Sequence, residues 1–339
     1  MSRFVSEESR KRIRAFKRRK SAYWSFIVFL VLFIIGMCSE LVANNKPYFM
    51  KYNGKWYFPM VKTYHPVTFG ITNRMVMDYK AFQKNNEQNV FAVFPIINWS
   101  PYEINKAVPE FPAPPSKENW LGTDDRGRDV LTRIIYGFRV SMIYALGVWI
   151  LSYVLGITFG AIQGYIGGRI DFVGQRIIEI YTAIPYFFLL IILIAIFQPS
   201  IMLLVILSSL FGWVGISYYI RAEFLRLRKF EFVEACRALG MRTGKIIFRQ
   251  ILPNALNPVI TFSPFAIAGG IMGLAGLDFL GFGVAPPTAS WGELLNQGKQ
   301  YFTTAWWLAT YPSVALFVTL SLLNLIGEGV RYAFDPKKY

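Results

Sequence analysis

Cysteine and histidine are nearly absent from this chain. Its 339 residues include two cysteines, Cys38 and Cys236, and one histidine, His65. The cysteines lie in an apolar run and in a distant basic stretch, so no disulfide between them is expected. None of the three residues has neighbours at the spacing of a metal site. The sequence therefore predicts neither a disulfide scaffold nor a metal centre, and His65 is predicted to be an ordinary loop residue.

Charged residues are also scarce. They make up 17% of the chain, whereas hydrophobic residues make up 54% and the mean hydropathy is +0.37. Apolar runs recur near the length of about 20 residues that a helix needs to cross a bilayer. The composition therefore predicts an all-α polytopic membrane protein with six transmembrane helices. The predicted spans are 22–42, 140–165, 177–197, 201–219, 258–277 and 308–333.

Acidic residues are fewer than basic ones, at 20 against 36, which gives a net charge of +16. Residues 1–20 carry nine basic and two acidic side chains, and residues 221–249 carry eight and three. Short basic loops stay in the cytoplasm, so both termini and the loop 221–253 are predicted to be cytoplasmic. A basic run directly before a span favours topology fixing and contact with anionic lipid. Membrane lipid is therefore a predicted partner, and nucleic acid is not.

Acidic residues in the predicted spans are few, and Glu179, Asp278 and Glu328 all lie near span ends. A proton relay through the membrane is therefore not predicted. The run 240–246 resembles a phosphate-binding loop, but three residues separate its glycines where the motif needs four, and isoleucine replaces the Mg²⁺-binding Ser or Thr. The chain is predicted not to be an enzyme, and no catalytic, cofactor-binding or metal-binding residue is assigned.

Residues 44–120 differ from the spans in being polar and rich in aromatic residues. Alternation around Trp56 and across 90–93 is typical of short strands, and the Pro-rich run 109–115 is typical of a stiff linker. We expect a small external subdomain here. The predicted segments are a basic cytoplasmic tail at 1–21, a first transmembrane helix at 22–43, a periplasmic insert at 44–120, an interfacial elbow helix at 121–138, a transmembrane domain at 139–333 and a cytoplasmic tail at 334–339.

The elbow helix is predicted from an amphipathic pattern. Thr123 or Asp124 could cap it, and its arginines could reach lipid headgroups. The acidic residues Asp124, Asp125 and Asp129 are then explained as a cap and surface charges rather than as catalytic groups.

Two glycine stripes predict where spans pack closely. Gly156, Gly160 and Gly164 recur at every fourth residue, and Gly269 and Gly273 repeat that spacing in the fifth span. Small residues at this spacing form a flat face that lets a neighbouring helix approach. Static packing and sliding of helices between states both remain open.

The basic loop contains a predicted helix at 231–239. In it Glu231, Glu234 and Ala238 lie near one face, and Val233, Cys236 and Leu239 lie near another. Gly240 is the expected helix stop, because glycine tolerates the left-handed turn that ends many helices. A second helical stretch, 243–251, runs into Pro253.

The sequence of this loop resembles that of a known protein family. Glu234-Ala235, then Gly240, then Ile251-Leu252-Pro253 resembles the signature loop of the integral-membrane permease subunits of ABC importers. The runs Leu121-Gly122-Thr123-Asp124-Asp125-Arg126-Gly127-Arg128-Asp129 and Gly281-Phe282-Gly283-Val284-Ala285-Pro286-Pro287, followed by Trp291-Gly292, are similar to the second permease of the dipeptide/oligopeptide group. The likeness extends from Trp120 to the end of the sequence and includes the first span. Cys236 departs from the family, which often has alanine there.

The resemblance implies the type I ABC importer permease fold and a bacterial inner-membrane location. It implies a second homologous permease, two ATP-binding subunits or one fused ATPase, and a periplasmic peptide-binding protein as partners. ATP and Mg²⁺ would be bound by the partner ATPases and not by this chain. The insert would lean on the partner permease or on the binding protein.

The resemblance also implies a role for the loop helix, which would sit in a groove of one ATPase. Glutamates would meet basic groups or backbone donors there, small residues would permit close contact, and glycine would set the turn. The residues assigned to this ATPase-coupling loop are Glu231, Glu234, Ala235, Cys236, Arg237 and Gly240.

The implied substrates are oligopeptides, with the peptide-nucleotide antibiotic microcin C as one candidate. Relatives of this group also carry nickel or glutathione, so these substrates remain alternatives. A stand-alone secondary transporter or channel is the other class of function that stays open. Aromatic residues of the spans are either cavity walls or ordinary core and lipid-facing residues, namely Tyr181, Tyr186, Phe187, Trp213 and Tyr218.

Overall fold

The fold was obtained as a computed structural model that describes residues 7–72, 75–86, 88–197 and 200–335. Helices dominate it, in keeping with the apolar runs. In chain order they are α1 (Glu7–Arg18), α2 (Lys20–Met37), α3 (Ser39–Val42), α4 (Tyr79–Asn85), α5 (Val130–Ile166), α6 (Gly168–Ala183), α7 (Tyr186–Ile196), α8 (Ile201–Leu227), α9 (Glu231–Ala238), α10 (Thr243–Ile246), α11 (Leu252–Ala255), α12 (Asn257–Phe279), α13 (Trp291–Gln300) and α14 (Trp307–Ala333).

Five helices of the described chain are long and apolar enough to cross a membrane, namely α2, α5, α8, α12 and α14. A sixth span is formed if α6 and α7 are taken together, since the pair is apolar enough but bends by 68° at its break. The predicted all-α polytopic fold is confirmed. The third span differs from the prediction because Pro185 interrupts it. Proline lacks the N–H that a continuous helix needs at that position.

The chain divides into two compact units. The first comprises Met1–Leu30, Ser141–Ala285 and Leu316–Tyr339, and the second comprises Val31–Val140 and Pro286–Ala315.

In the first unit, α1 and the start of α2 pack on the end of α14. The Arg19 guanidinium pairs with the Glu328 carboxylate, and the Arg12 guanidinium lies 4.4 Å from the centre of the Phe334 ring. Gly329 allows α14 to approach α2 closely, because a Cβ at this position would lie 2.2 Å from the Ala22 Cβ. The basic segment before the first span is thus packed against the end of the last one.

The second unit contains a small sheet built from the aromatic insert. Its strands are β1 (Phe49–Tyr52), β2 (Lys55–Tyr57) and β3 (Val90–Val93), all antiparallel in the order β2-β1-β3. Positive φ angles at Asn53 and Gly54 make the tight turn between β1 and β2. One face of the sheet and α4 enclose a core that includes Met50, Phe69 and Phe82.

The predicted elbow helix at 121–138 differs from the structure. Residues 121–129 form turns, and the helix that follows is the continuous 37-residue α5 beginning at Val130. The helix cap is Asp129, whose Oδ2 accepts a hydrogen bond of 2.8 Å from the Thr132 backbone N–H. The prediction of Thr123 or Asp124 as the cap was therefore wrong, because Gly122 and Gly127, both at positive φ, hold the intervening residues in turns.

Candidate functional site

Helix α9 is a short, separately capped helix between α8 and α12. Glu231 and Glu234 lie in its first turn, where negative charge is favourable to the helix dipole. Gly240 ends it with a φ of +71°. The Met241 N–H then donates to the Cys236 carbonyl at 3.0 Å, the hydrogen bond of a Schellman C-cap.

One face of α9 is anchored in the protein. Val233 is fully buried in a cluster that includes Phe224 and Leu227 of α8 and Ile246 of α10. Cys236 is half-buried and packs against the same cluster. The sequence assigned Cys236 to the contact with an ATPase, and this assignment stays a prediction, since only part of the side chain is covered by its own chain.

The opposite face of α9 is exposed. Glu231, Glu234 and Ala235 are all open to solvent, as is Arg237. Leu239 follows the helix with 83% of its surface accessible. The exposed surface of α9 and its C-terminal turn therefore carries two carboxylates, small side chains and an exposed leucine, while Val233 anchors the helix in the protein. This combination of apolar and charged groups is suited to docking another protein.

Charged side chains tie this loop to neighbouring helices. The Arg237 guanidinium lies 5.3 Å from the centre of the Tyr165 ring at the end of α5, and Arg228 Nη1 donates to the Tyr165 carbonyl at 3.0 Å. Arg221 of α8 binds both carboxylate oxygens of Asp171 in α6, one of them at 2.6 Å. Side-chain contacts thus link α9 to α5, and α8 to α6.

The first glycine stripe lies directly against α8. A Cβ at Gly156 would lie 2.6 Å from the Trp213 carbonyl oxygen, and one at Gly160 would lie 2.5 Å from the Ser217 carbonyl oxygen. At Gly164 the nearest atoms include the Arg221 carbonyl oxygen at 2.6 Å. The backbones of α5 and α8 therefore approach so closely that only glycine fits.

Gly160→Ala is accordingly expected to lower the stability of the protein by about 1–3 kcal/mol, as overpacking of a close contact does. Gly269→Ala adds the same methyl group where nothing lies within 4 Å, so it serves as the matched control. The measurement is the melting temperature of each variant in detergent, followed by size-exclusion chromatography. Equal melting of the two variants would contradict the packing role of Gly160.

Gly269 and Gly273 do not make the predicted close helix contact with any described residue. They line a cavity of about 530 Å³ in the first unit. Tyr181 and Tyr186 line the same cavity, whereas Trp213 lines a different pocket beside α6. The spacing of the glycines could not show that the first stripe packs against a helix and the second lines a cavity, because both stripes have the same period.

The second unit holds a charge cluster, here called the Arg133 cluster, which consists of the buried residues Asp124, Arg128 and Arg133 and the partly exposed Glu293. Arg133 and Asp124 are both 0% exposed, and their Nε and Oδ2 atoms lie 3.3 Å apart. Arg128 Nε donates to Asp124 Oδ2 at 2.6 Å, and its Nη2 donates to Glu293 Oε1 at 3.1 Å. Arg133 also pairs with Glu293 through Nη2. The interpretation of Asp124 as a surface charge was therefore wrong.

Three backbone carbonyls complete the contacts of Arg133. Its guanidinium donates to Pro101 at 3.2 Å and to Pro287 and Thr288 at 3.4 Å. The cluster thus joins the insert, the start of α5 and the segment before α13. Beside it, burial raises the pKa of Asp125, and the neighbouring Asp124 carboxylate adds to this effect. Asp124 and Arg128 lie outside any helix, so the helical (i, i+4) rule does not explain their pairing, and no local signal in the sequence indicated it.

Within the described residues, no group of three or more His, Cys, Asp or Glu side chains is placed so that it could hold a metal ion. His65 caps a short 3-10 helix, with Nδ1 accepting from the Val67 N–H at 3.4 Å.

Comparison with known proteins finds a family of inner-membrane transport components and two relatives that match almost the whole chain. Residues 156–338 match the family described as binding-protein-dependent transport system inner membrane component. The inner membrane ABC transporter permease protein YejE of Escherichia coli (strain K12) is 43% identical over 337 residues, covering 98% of each chain. The peptidoglycan transport system permease protein YejE of Agrobacterium fabrum (strain C58 / ATCC 33970) is 40% identical over 362 residues, covering 99% of this chain and 94% of its own.

More distant relatives are similar over a smaller part. The dipeptide transport system permease protein DppC of Bacillus subtilis (strain 168) is 33% identical over 240 residues, covering 70% of this chain and 75% of its own. Among solved structures, the inward-facing MetNI methionine ABC transporter is similar to 59% of this chain and 96% of its own, at 16% identity and a TM-score of 0.48.

Proposed function

This chain belongs to the inner membrane components of binding-protein-dependent transport systems, and from that premise we propose that it is the permease subunit of an ATP-driven importer of oligopeptides. It is a multi-pass inner-membrane protein. The observation that carries the proposal is α9, a helix with a buried anchor at Val233 and an exposed face with Glu231 and Glu234.

In this proposal α9 docks in a groove of a cytoplasmic ATPase, and both termini lie on the same side of the membrane as α9. The excess of basic residues in 221–249 supports that orientation. When ATP closes the ATPase pair, α9 moves with it. The contacts of Arg237 with Tyr165 and of Arg221 with Asp171 then transmit the movement to the spans.

The complete importer contains a second homologous permease, two ATP-binding subunits or one fused ATPase, and a periplasmic peptide-binding protein. ATP and Mg²⁺ bind to the ATPases. The close packing of α5 on α8 at Gly160 supports movement of these helices as one body. Anionic lipid contacts the exposed basic side chains of α1, among them Arg10 and Lys11.

Oligopeptides are the proposed cargo because relatives of this chain are named for dipeptide, oligopeptide and peptidoglycan transport. Microcin C, which consists of a peptide joined to a nucleotide, is proposed as one member of that class. Nickel and glutathione are the alternative cargoes.

The test is uptake into proteoliposomes that contain this chain with its partner permease and ATPases. We expect labelled oligopeptides to accumulate only when both ATP and the binding protein are supplied, and nickel and glutathione not to accumulate. Cells that lack the chain are expected to resist microcin C. Peptide flux through the purified chain alone, driven by an ion gradient, would instead establish the stand-alone transporter.

A further inference from the structure

The break between α6 and α7 faces the cavity of about 530 Å³. Thr182, Ile184, Pro185 and Tyr186 all line it. The last carbonyls of a helix lack intrahelical partners, and irregular backbone is tolerated at membrane depth only where it is buried in protein or lines a cavity. In secondary transporters, which face the same physical constraint, substrate sites are typically formed by interrupted helices. The position of the break therefore indicates a polar occupant of the cavity.

Three hydroxyl groups meet beside this break. Tyr186 donates to Ser208 Oγ at 2.9 Å, and the Tyr144 hydroxyl lies 2.7 Å from the same Oγ atom. Tyr144 and Ser208 are 3% and 6% exposed, whereas Tyr186 is half-buried. The three residues come from α5, α7 and α8. Each hydroxyl can donate one hydrogen bond and accept two, so the cluster keeps the capacity to bind a further polar group.

The rest of the wall is uncharged. Among the described residues that line the cavity there is no Asp, Glu, Lys or Arg. Tyr181 and Phe211 stack with their ring centres 4.8 Å apart. From α12, only alanine and glycine line the cavity, among them Gly269 and Gly273. A wall of this kind does not select a ligand by charge. It provides flat apolar contact and hydrogen-bonding groups at fixed positions.

We propose that Tyr144, Tyr186 and Ser208, which together form the hydroxyl cluster, bind the backbone amides of a peptide in transit. This inference rests on the proposed function. Backbone N–H and C=O groups recur in every peptide and need a partner that both donates and accepts, which a hydroxyl does. An uncharged wall with aromatic surfaces then accommodates acidic, basic and neutral side chains alike. The cluster thus accounts for uptake of peptides of varied sequence.

The test compares Ser208→Ala combined with Tyr186→Phe against the wild-type importer in proteoliposomes, at saturating binding protein. Loss of a hydrogen bond of about 1.4 kcal/mol corresponds to a tenfold change, so we expect uptake to fall about tenfold. The fall should be the same for alanine peptides that carry one lysine, one glutamate or neither. Ser209→Ala is the control, because its hydroxyl donates within α8 to the Val205 carbonyl at 2.6 Å and lies outside the cavity wall.

A second measurement detects the peptide directly. Thr182→Cys, which lines the cavity but is not part of the hydroxyl cluster, is labelled by a small maleimide, and the labelling of Cys38 and Cys236 in the parent chain is subtracted. Tyr219→Cys on an exposed part of α8 serves as the control. Peptide delivered by the binding protein is expected to slow labelling at position 182 several-fold and to leave position 219 unchanged.

Three outcomes would overturn the inference. One is full uptake by the double variant, and another is a loss confined to peptides of one charge. The third is loss of association with the partner permease in the double variant, which would assign the hydroxyls to subunit packing. If the wild-type importer accumulates no peptide at all, the proposed function fails as well, so the two failures are distinguishable.

Discussion

Glu234→Arg is expected to abolish ATP-driven peptide uptake and to release the ATPase subunits when the chain is purified from membranes. The side chain is exposed on α9, so the fold should tolerate the change. In the proposed assembly the carboxylate meets basic groups or backbone N–H donors. Reversing a charge that is paired across an interface costs about 2–5 kcal/mol of binding free energy, or about 30- to several thousand-fold in affinity.

The matched control for this variant is Glu7→Arg, which makes the same change of charge at an exposed glutamate of α1. Both variants should reach the membrane and melt like the wild type. ATPase co-purification and ATP hydrolysis stimulated by the binding protein are then measured. Retention of active ATPases by Glu234→Arg would show that α9 does not carry the coupling.

Leu239→Asp is expected to weaken ATPase binding by changing the apolar part of the same surface. Leu239 is 83% exposed, so an aspartate there should leave the folded chain intact. A leucine that becomes fully buried on docking contributes about 1.5–3 kcal/mol by burial. Weaker ATPase binding without a change in melting would therefore place position 239 in the interface.

Arg133→Met is expected to destabilise the protein by about 3–5 kcal/mol, the range for removing one partner from a buried ion pair. Methionine fills similar space but leaves the Glu293 carboxylate without one of its two guanidinium partners. It also deprives the carbonyls of Pro101, Pro287 and Thr288 of a donor. The melting temperature in detergent and the yield from membranes report the loss.

Arg126→Met is the matched control for the Arg133 cluster. Arg126 is exposed and lies only seven residues earlier, so its removal should change stability little. A double variant, Arg133→Met with Glu293→Met, measures the coupling of this pair: it should lose less stability than the sum of the losses of the two single variants. If Arg133→Met and Arg126→Met melt alike, the cluster contributes no net stability.

Several features of this protein follow from local sequence and could be predicted from it. The spans were recognisable because a helix that crosses a bilayer needs a continuous apolar run, and composition supplies that information without any tertiary contact. The end of α9 was equally local, since the left-handed turn at Gly240 depends on one residue. The fit of α5 against α8 at Gly160 needed only the period of the glycines and one neighbouring helix.

Other features depended on residues far apart in the chain. Asp124 and Arg133 are buried, and Arg133 pairs with Glu293, which lies 160 residues later and could not be recognised as its partner from local sequence. Cys236 and Leu239 lie near one predicted face of α9, yet the cluster around Val233 covers the first and leaves the second exposed.

The sequence by itself determined the helical transmembrane fold, the charged loop helix and its turn, and the family to which the chain belongs. Each of these features can be recognised from the hydropathy, the helical period or a short run of residues. Only the tertiary structure decided that Pro185 interrupts the third span beside a cavity and that Tyr144, Tyr186 and Ser208 meet there. It also decided that the buried residues Asp124, Arg128 and Arg133 meet the partly exposed Glu293. These depend on which helices become neighbours, which is set by packing over the whole chain.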